Sequence, residues 1–167
     1  MTSPAQTSAG TQLFRRGSMT RKGIAMFPLL ALPWLLYVLI AMFSGDRGAS
    51  ELPAVTGALE ATVFKLGMIS GVTWRLEAGD LLLLLGLLML AIEIAKATSS
   101  RSVSIANHVA SMGLLLLCLI LFLSVGSFAT STFFLLTMMV VFDVLVGATV
   151  TIVSARRDFG VGDGLAN

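Results

Sequence analysis

The chain has 167 residues, of which 56% are hydrophobic and 12% are charged, and its mean hydropathy is +0.94. Soluble domains carry about a quarter charged residues, so this composition excludes a water-soluble enzyme and predicts an all-α, polytopic membrane protein. The formal charge of +2 arises from basic residues scattered between apolar blocks, which does not favour a nucleic-acid partner.

The first 43 residues combine a polar tail with an apolar block. Residues 1–22 are rich in Ser, Thr and Gln and contain four basic but no acidic residues. Such a segment cannot form a core, and we predict a flexible basic tail. Residues 24–43 carry no charge and would make about 30 Å of helix, the thickness of the hydrocarbon layer. They are the first predicted span, which Pro28 and Pro33 should kink.

Residues 44–78 form the one sizeable segment predicted outside the membrane. Apolar residues alternate with polar or small ones on both sides of Ser70-Gly71, which predicts a β-hairpin. An amphipathic helix over 55–69, lying on the membrane surface, is the alternative. Two strands alone are marginally stable in water, so the apolar face should rest on the bilayer, the bundle or a partner. The candidate contact residues are Phe64, Leu66, Met68, Trp74 and Leu76.

Three further spans are predicted at about 79–97, 105–128 and 133–153. Only Ala129–Thr132 separates the last two, so these helices should be antiparallel neighbours. The four spans together form a predicted transmembrane domain over 23–154. Residues 155–167 are read as a short polar tail.

The distribution of Lys and Arg predicts the orientation, because basic loops are retained in the cytoplasm. With both termini cytoplasmic, eight of the 11 basic residues lie inside: Arg15, Arg16, Arg21, Lys22, Lys96, Arg101, Arg156 and Arg157. Arg47, Lys65 and Arg75 lie outside. We therefore expect an integral protein of a bacterial inner membrane with both termini in the cytoplasm.

Asp143 is the most informative residue, because it lies near the middle of the fourth span among aliphatic residues. An aspartate at that depth costs about 2.5–3.5 kcal/mol on insertion scales, so it should meet a polar partner or become neutral. No basic residue is expected at matching depth. The interpretations are a structural hydrogen bond between helices, a proton or ion site, and an oligomer contact.

Three other polar residues complete the candidate intramembrane site. Glu93 lies three residues before Lys96, so an i, i+3 ion pair or snorkelling to the interface would satisfy it. His108 and Ser111 share one helical face at the start of the third span. They have no neighbouring acid in sequence, so they do not resemble a hydrolase pair.

Small and hydroxyl residues indicate where the helices pack. Gly86 shares a helical stripe with Glu93, whereas Gly147 and Thr151 share one with Asp143. Small residues allow membrane helices to approach closely. We therefore predict Gly86, Gly147 and Thr151 as helix-packing positions.

The sequence contains no catalytic constellation. It has a single cysteine and a single histidine, too few for a disulfide framework, a zinc site or a bis-histidine haem. We expect no metal and no cofactor. The favoured hypothesis is a non-catalytic accessory, scaffolding or assembly subunit that associates with another membrane protein or with itself among membrane lipids. The alternative is a proton- or ion-conducting subunit that uses Asp143.

Overall fold

The computed structural model describes residues 28–45, 52–99 and 101–162, with side chains for 28–45, 52–97 and 107–153. The predicted basic tail at 1–22 lies outside the described residues. In chain order the elements are α1 (Ala31–Phe43), α2 (Val55–Leu59), β1 (Thr62–Gly67), β2 (Thr73–Glu77), α3 (Ala78–Ser99), α4 (Arg101–Ser124), a 3-10 turn (Gly126–Phe128) and α5 (Ser131–Gly162).

Three helices have the length and composition needed to cross a membrane. Their apolar segments are Ala78–Ala97, Asn107–Ser124 and Ser131–Val153. Large aliphatic side chains such as Leu84 and Leu116 remain exposed on their outer faces. In a bundle of this kind, lipid is the solvent that covers such faces. The structure is mostly helical, with three candidate membrane-spanning helices and a small two-stranded sheet, which confirms this part of the predicted class.

The first apolar segment forms a shorter helix than the sequence predicts. Pro28–Leu30 make a turn, in which the Ala31 N–H donates to the Pro28 carbonyl at 3.0 Å. Helix α1 then runs for 13 residues, about 20 Å at 1.5 Å per residue, against about 30 Å for the hydrocarbon layer. Pro33 lies in its first turn, where the missing N–H breaks no helical bond. The described residues therefore do not confirm a fourth span.

The last two helices also end at different residues from those predicted. Helix α4 stops at Ser124, four residues before Phe128, because Gly126–Phe128 turn as a 3-10 segment. The Thr130 hydroxyl then accepts from the Phe133 N–H at 3.2 Å and caps α5. Helix α5 continues to Gly162, past the predicted end at Val153, so part of the predicted C-terminal tail is helical.

Close backbone approaches fix the register of α3 against α5. A Cβ atom added to Gly86 would lie 2.9 Å from both Leu136 Cδ2 and Met139 Sδ. A Cβ on Gly79 would lie 3.2 Å from Thr132 Oγ1. Both glycines thus meet α5 about 50 residues later in the chain, so the two helices run parallel. Helix α4, joined to α5 by a tight turn, runs antiparallel to it.

Tyr37 attaches α1 to the connection between α4 and α5. Its side chain is fully buried, and its hydroxyl donates to the Ser127 carbonyl at 3.0 Å. The same hydroxyl lies 2.6 Å from Thr130 Oγ1. Its ring packs against Phe133 at 4.9 Å and Phe128 at 5.6 Å between centroids. This aromatic cluster closes one end of the bundle.

The hairpin predicted within 44–78 is present, and the alternative helix over 55–69 is wrong. Only Val55–Leu59 are helical there, because the strand alternation begins at Thr62. The strands are antiparallel and place Phe64 opposite Leu76 and Leu66 opposite Trp74. Gly71 closes the turn with a φ of 83°, a conformation that glycine adopts without strain.

Replacing Tyr37 with Phe should destabilise the bundle by about 1 kcal/mol, because the ring packing remains while the hydroxyl contacts are lost. Unfolding of the purified protein by SDS in mixed micelles measures this change. Thr130→Val should cost more, since it removes both a Tyr37 contact and the cap of α5. Equal stability of Tyr37→Phe and wild type would contradict this attachment of α1.

Candidate functional site

Buried polar side chains gather where α3 ends and α4 begins. Six residues, called the polar cluster below, contribute from three helices. They are Glu93 and Lys96 on α3, Asn107, His108 and Ser111 on α4, and Asp143 on α5.

Glu93 is the best-connected member of the polar cluster. Its side chain is 0% exposed, and Oε1 accepts hydrogen bonds from Lys96 Nζ at 3.0 Å and from Asn107 Nδ2. Oε2 accepts the Leu29 N–H at 3.1 Å. The ion pair with Lys96 follows the predicted i, i+3 spacing, whereas the burial excludes snorkelling of Glu93 to the interface.

Asn107 was not singled out from the sequence, although it completes this network. Its amide donates to Glu93, and its Oδ1 accepts from Lys96 Nζ at 3.2 Å. Asn107 lies at the polar start of an apolar helix, where an amide is unremarkable. Only the packing of α4 against α3 reveals its role.

Asp143 and Ser111 lie at one depth because of the tight turn between their helices. Ser111 stands 13 residues before the end of α4, and Asp143 stands 12 residues after the start of α5. Both are buried, with 1% and 6% of their surfaces exposed. The Ser111 hydroxyl lies beside the Asp143 carboxyl, but Ser111 Oγ and Asp143 Oδ2 both lack a hydrogen-bond partner of standard geometry.

Three ionisable side chains lie near Asp143. Glu93, Lys96 and His108 are close enough for their charges to act on its carboxyl. Lys96 lies near the end of α3 and pairs with Glu93 at 3.0 Å. The expectation that no basic residue lies at the depth of Asp143 stays a prediction.

His108 packs against the backbone of α5 at Gly147. A Cβ atom on Gly147 would lie 2.5 Å from His108 Nδ1, so only glycine leaves room for this ring. Gly147 follows Asp143 by about one helical turn, so the imidazole contacts α5 about one turn from the carboxyl. His108 Nδ1 is buried without a hydrogen-bond partner. Three members of the polar cluster, Asp143, Ser111 and His108, thus each have a buried polar atom without such a partner.

Thr151 does not form the helix contact predicted for it. Its side chain is exposed, and its hydroxyl donates to the Gly147 carbonyl of its own helix at 2.9 Å. Residues four positions apart on an α-helix differ by roughly 40° around the helix axis. Thr151 is therefore roughly 80° away from Asp143, whereas Gly86 and Gly147 remain at helix contacts.

The hairpin presents its apolar face uncovered. Phe64 is 54% exposed and Trp74 is 49% exposed, and Leu66 and Met68 are also exposed. Leu76, next to α3, is partly buried. Lys65 and Arg75 are cross-strand neighbours on the other face of the hairpin. The hairpin therefore has one apolar face and one basic face.

A separate cavity of about 370 Å³ lies at the end of the bundle beside α2. Glu60, Glu77 and Asp80 line it together with Thr130–Thr132. Asp80 Oδ2 accepts the Glu77 N–H at 3.0 Å, so this carboxylate caps the start of α3. The Asp80 carboxylate at this cavity therefore has a structural role.

Within the described residues, no three His, Cys, Asp or Glu side chains come together as ligands of a metal ion would. Comparison of the chain with protein families, curated proteins and solved structures found no match. The chemistry of the site must therefore be read from its own residues.

Replacing Glu93 with Gln should destabilise the protein by about 2 kcal/mol, because the Lys96 ammonium loses its buried carboxylate. The double variant Glu93→Gln/Lys96→Met removes both charges and should recover more than half of that loss. SDS unfolding of wild type, Glu93→Gln, Lys96→Met and the double variant forms a double-mutant cycle. Purely additive losses would show that the two charges are not coupled.

Proposed function

We propose that the protein is a non-catalytic assembly subunit that binds a larger membrane complex through the apolar face of its hairpin. The supporting observation is the uncovered apolar row formed by Phe64, Leu66, Met68 and Trp74. Contiguous exposed apolar surface of this kind marks interaction sites. Covering one large apolar side chain contributes about 1.5–3 kcal/mol, so four of them supply a substantial driving force.

The proposed occupant is an extracytoplasmic protein surface that is apolar with an acidic rim. Lys65 lies directly opposite Arg75 on the other face of the hairpin, so an acidic rim complements these two cations. Within the described residues, β1 pairs with β2 alone. Each strand therefore offers a free edge on which a partner strand can add.

The proposed topology has four spans with both termini in the cytoplasm of a bacterial inner membrane. Helix α1 supports it by following α3 along the bundle, with Leu29 bonded to Glu93 and Tyr37 bonded near the start of α5. The positive-inside rule supplies the orientation. In this arrangement the hairpin faces the extracytoplasmic side and the polar cluster lies towards the cytoplasm.

The hairpin proposal is tested by Trp74→Asp, which places a charge in the apolar row. Cells expressing the full chain at native level are solubilised in mild detergent, and the size of the assembly is measured by native electrophoresis. We expect Trp74→Asp to shift the protein from the large assembly to its free form, because a buried carboxylate has no partner there.

Thr73→Asp is the matched control, since Thr73 is the neighbouring exposed residue on the opposite face. It should leave the assembly intact. A photo-crosslinking residue at position 66 should give a protein adduct that position 73 does not. Adducts with lipid alone, or an assembly unchanged by Trp74→Asp, would refute the proposal.

The topology is tested with reporter fusions. A cytoplasmic reporter after Asn167 should be active, and one inserted between Leu52 and Glu60 should be inactive, because basic flanks stay inside. A periplasmic reporter should give the reverse pattern. An extracytoplasmic signal from the fusion after Asn167 would require an odd number of spans or the opposite orientation.

A further inference from the structure

We propose that Asp143, Ser111 and His108 form a proton-binding site inside the membrane that exchanges protons with one side only. The site is independent of the hairpin and its partner. Its basis is that three atoms of the polar cluster are buried and unpaired, namely Asp143 Oδ2, Ser111 Oγ and His108 Nδ1, on residues that meet α5 within about one turn of each other. Buried polar groups in proteins are normally paired, so such a group calls for a ligand.

The donors favour a proton over a metal cation. Hard cations such as Na⁺ or Ca²⁺ require a shell of several oxygen ligands. Here one carboxyl and one hydroxyl are joined by an imidazole nitrogen, which supplies too few oxygen ligands for such a cation. Protonation also removes the charge whose burial is costly at this depth.

Charged groups face Asp143 from both helices packed against it. Helix α3 contributes Glu93 and Lys96, and α4 contributes His108. The turn before α1 contributes the backbone N–H of Leu29, which is bonded to Glu93. Glu93 and Lys96 form an ion pair with each other, so their opposite charges act together near Asp143.

The polar cluster connects this site to one end of the bundle. Lys96 has 21% of its side chain exposed, and His108 is partly exposed. Protons can therefore pass between His108 and the end where α3 stops and α4 begins. In the proposed topology this end faces the cytoplasm.

The opposite direction is closed by apolar packing. Among the described residues, Thr137 is the one buried hydroxyl between Asp143 and the aromatic cluster, and it donates to the Phe133 carbonyl at 2.9 Å. The remaining buried side chains on that path are apolar or weakly polar: Leu114, Cys118, Phe133, Leu136 and Val140. A proton bound at Asp143 thus returns to the side from which it came.

The experiment is infrared difference spectroscopy of the full-length protein in lipid nanodiscs between acidic and neutral pH. We expect a carboxylic-acid carbonyl band that titrates with pH and is absent from Asp143→Asn. Ser111→Ala should shift the titration midpoint, because it removes the buried hydroxyl beside this carboxyl. Persistence of the band in Asp143→Asn would overturn the assignment.

Thr137→Val is the matched control, because it also removes one buried hydroxyl but lies on the closed side of Asp143. Its midpoint should equal that of wild type. The Ser111 and Thr137 variants decide the question even where Asp143→Asn fails to fold. Equal midpoints for these two variants and wild type would refute the site.

Two further measurements fix the ligand and the sidedness. Exchanging K⁺ for Na⁺ at constant ionic strength should leave the midpoint unchanged, and a shift would mean that Na⁺ competes for the site. Liposomes containing the protein, driven by a potassium diffusion potential, should show the proton flux of protein-free vesicles. Flux above that level would replace the one-sided site with a conducting pathway. Trp74→Asp should leave all these readouts unchanged, which separates this proposal from the hairpin proposal.

Discussion

The buried carboxylate of Glu93 is the interaction on which the arrangement of the helices depends. It receives the Leu29 N–H from the turn before α1, the Lys96 ammonium from its own helix and the Asn107 amide from α4. A buried carboxylate is stable only when its oxygens are satisfied. One side chain therefore holds the ends of three segments together, and the position of α4 that it fixes brings His108 and Ser111 to Asp143.

Glycine provides the second constraint by letting backbones approach where a side chain would not fit. Gly86 sets the parallel register of α3 and α5, and Gly147 receives the His108 ring. In a membrane, helix association relies on such packing, since lipid tails are as apolar as the side chains they replace. The two close contacts thus place α3 and α4 against different faces of α5.

The sequence predicts local features well and contacts between helices poorly. Hydropathy locates α3, α4 and α5 because each must cover the hydrocarbon layer, and alternation locates the hairpin because one face is apolar. The turn at Pro28–Leu30 shortens α1, and uniform hydropathy across residues 24–43 gives no sign of it. Asn107 was missed for a different reason, since its importance comes from a residue 14 positions away on another helix. The neighbours of Asp143 likewise depend on helix register, which no local pattern specifies.

The free energies of burial and of hydrogen bonding explain why hydrogen bonds alone do not stabilise an ionised Asp143 inside the membrane. An ionised aspartate near the middle of the membrane costs about 2.5–3.5 kcal/mol, whereas a hydrogen bond between membrane helices contributes about 0.6–2 kcal/mol. A single hydroxyl such as Ser111 does not offset that cost. The Lys96 ammonium pairs with Glu93 at 3.0 Å and not with Asp143. A bound proton removes the charge and turns the carboxyl into a donor for the unpaired acceptor nearby. The bundle is polar at the end where α3 stops and α4 begins, whereas Tyr37 and its aromatic neighbours close the opposite end. The proton therefore enters and leaves by the polar end.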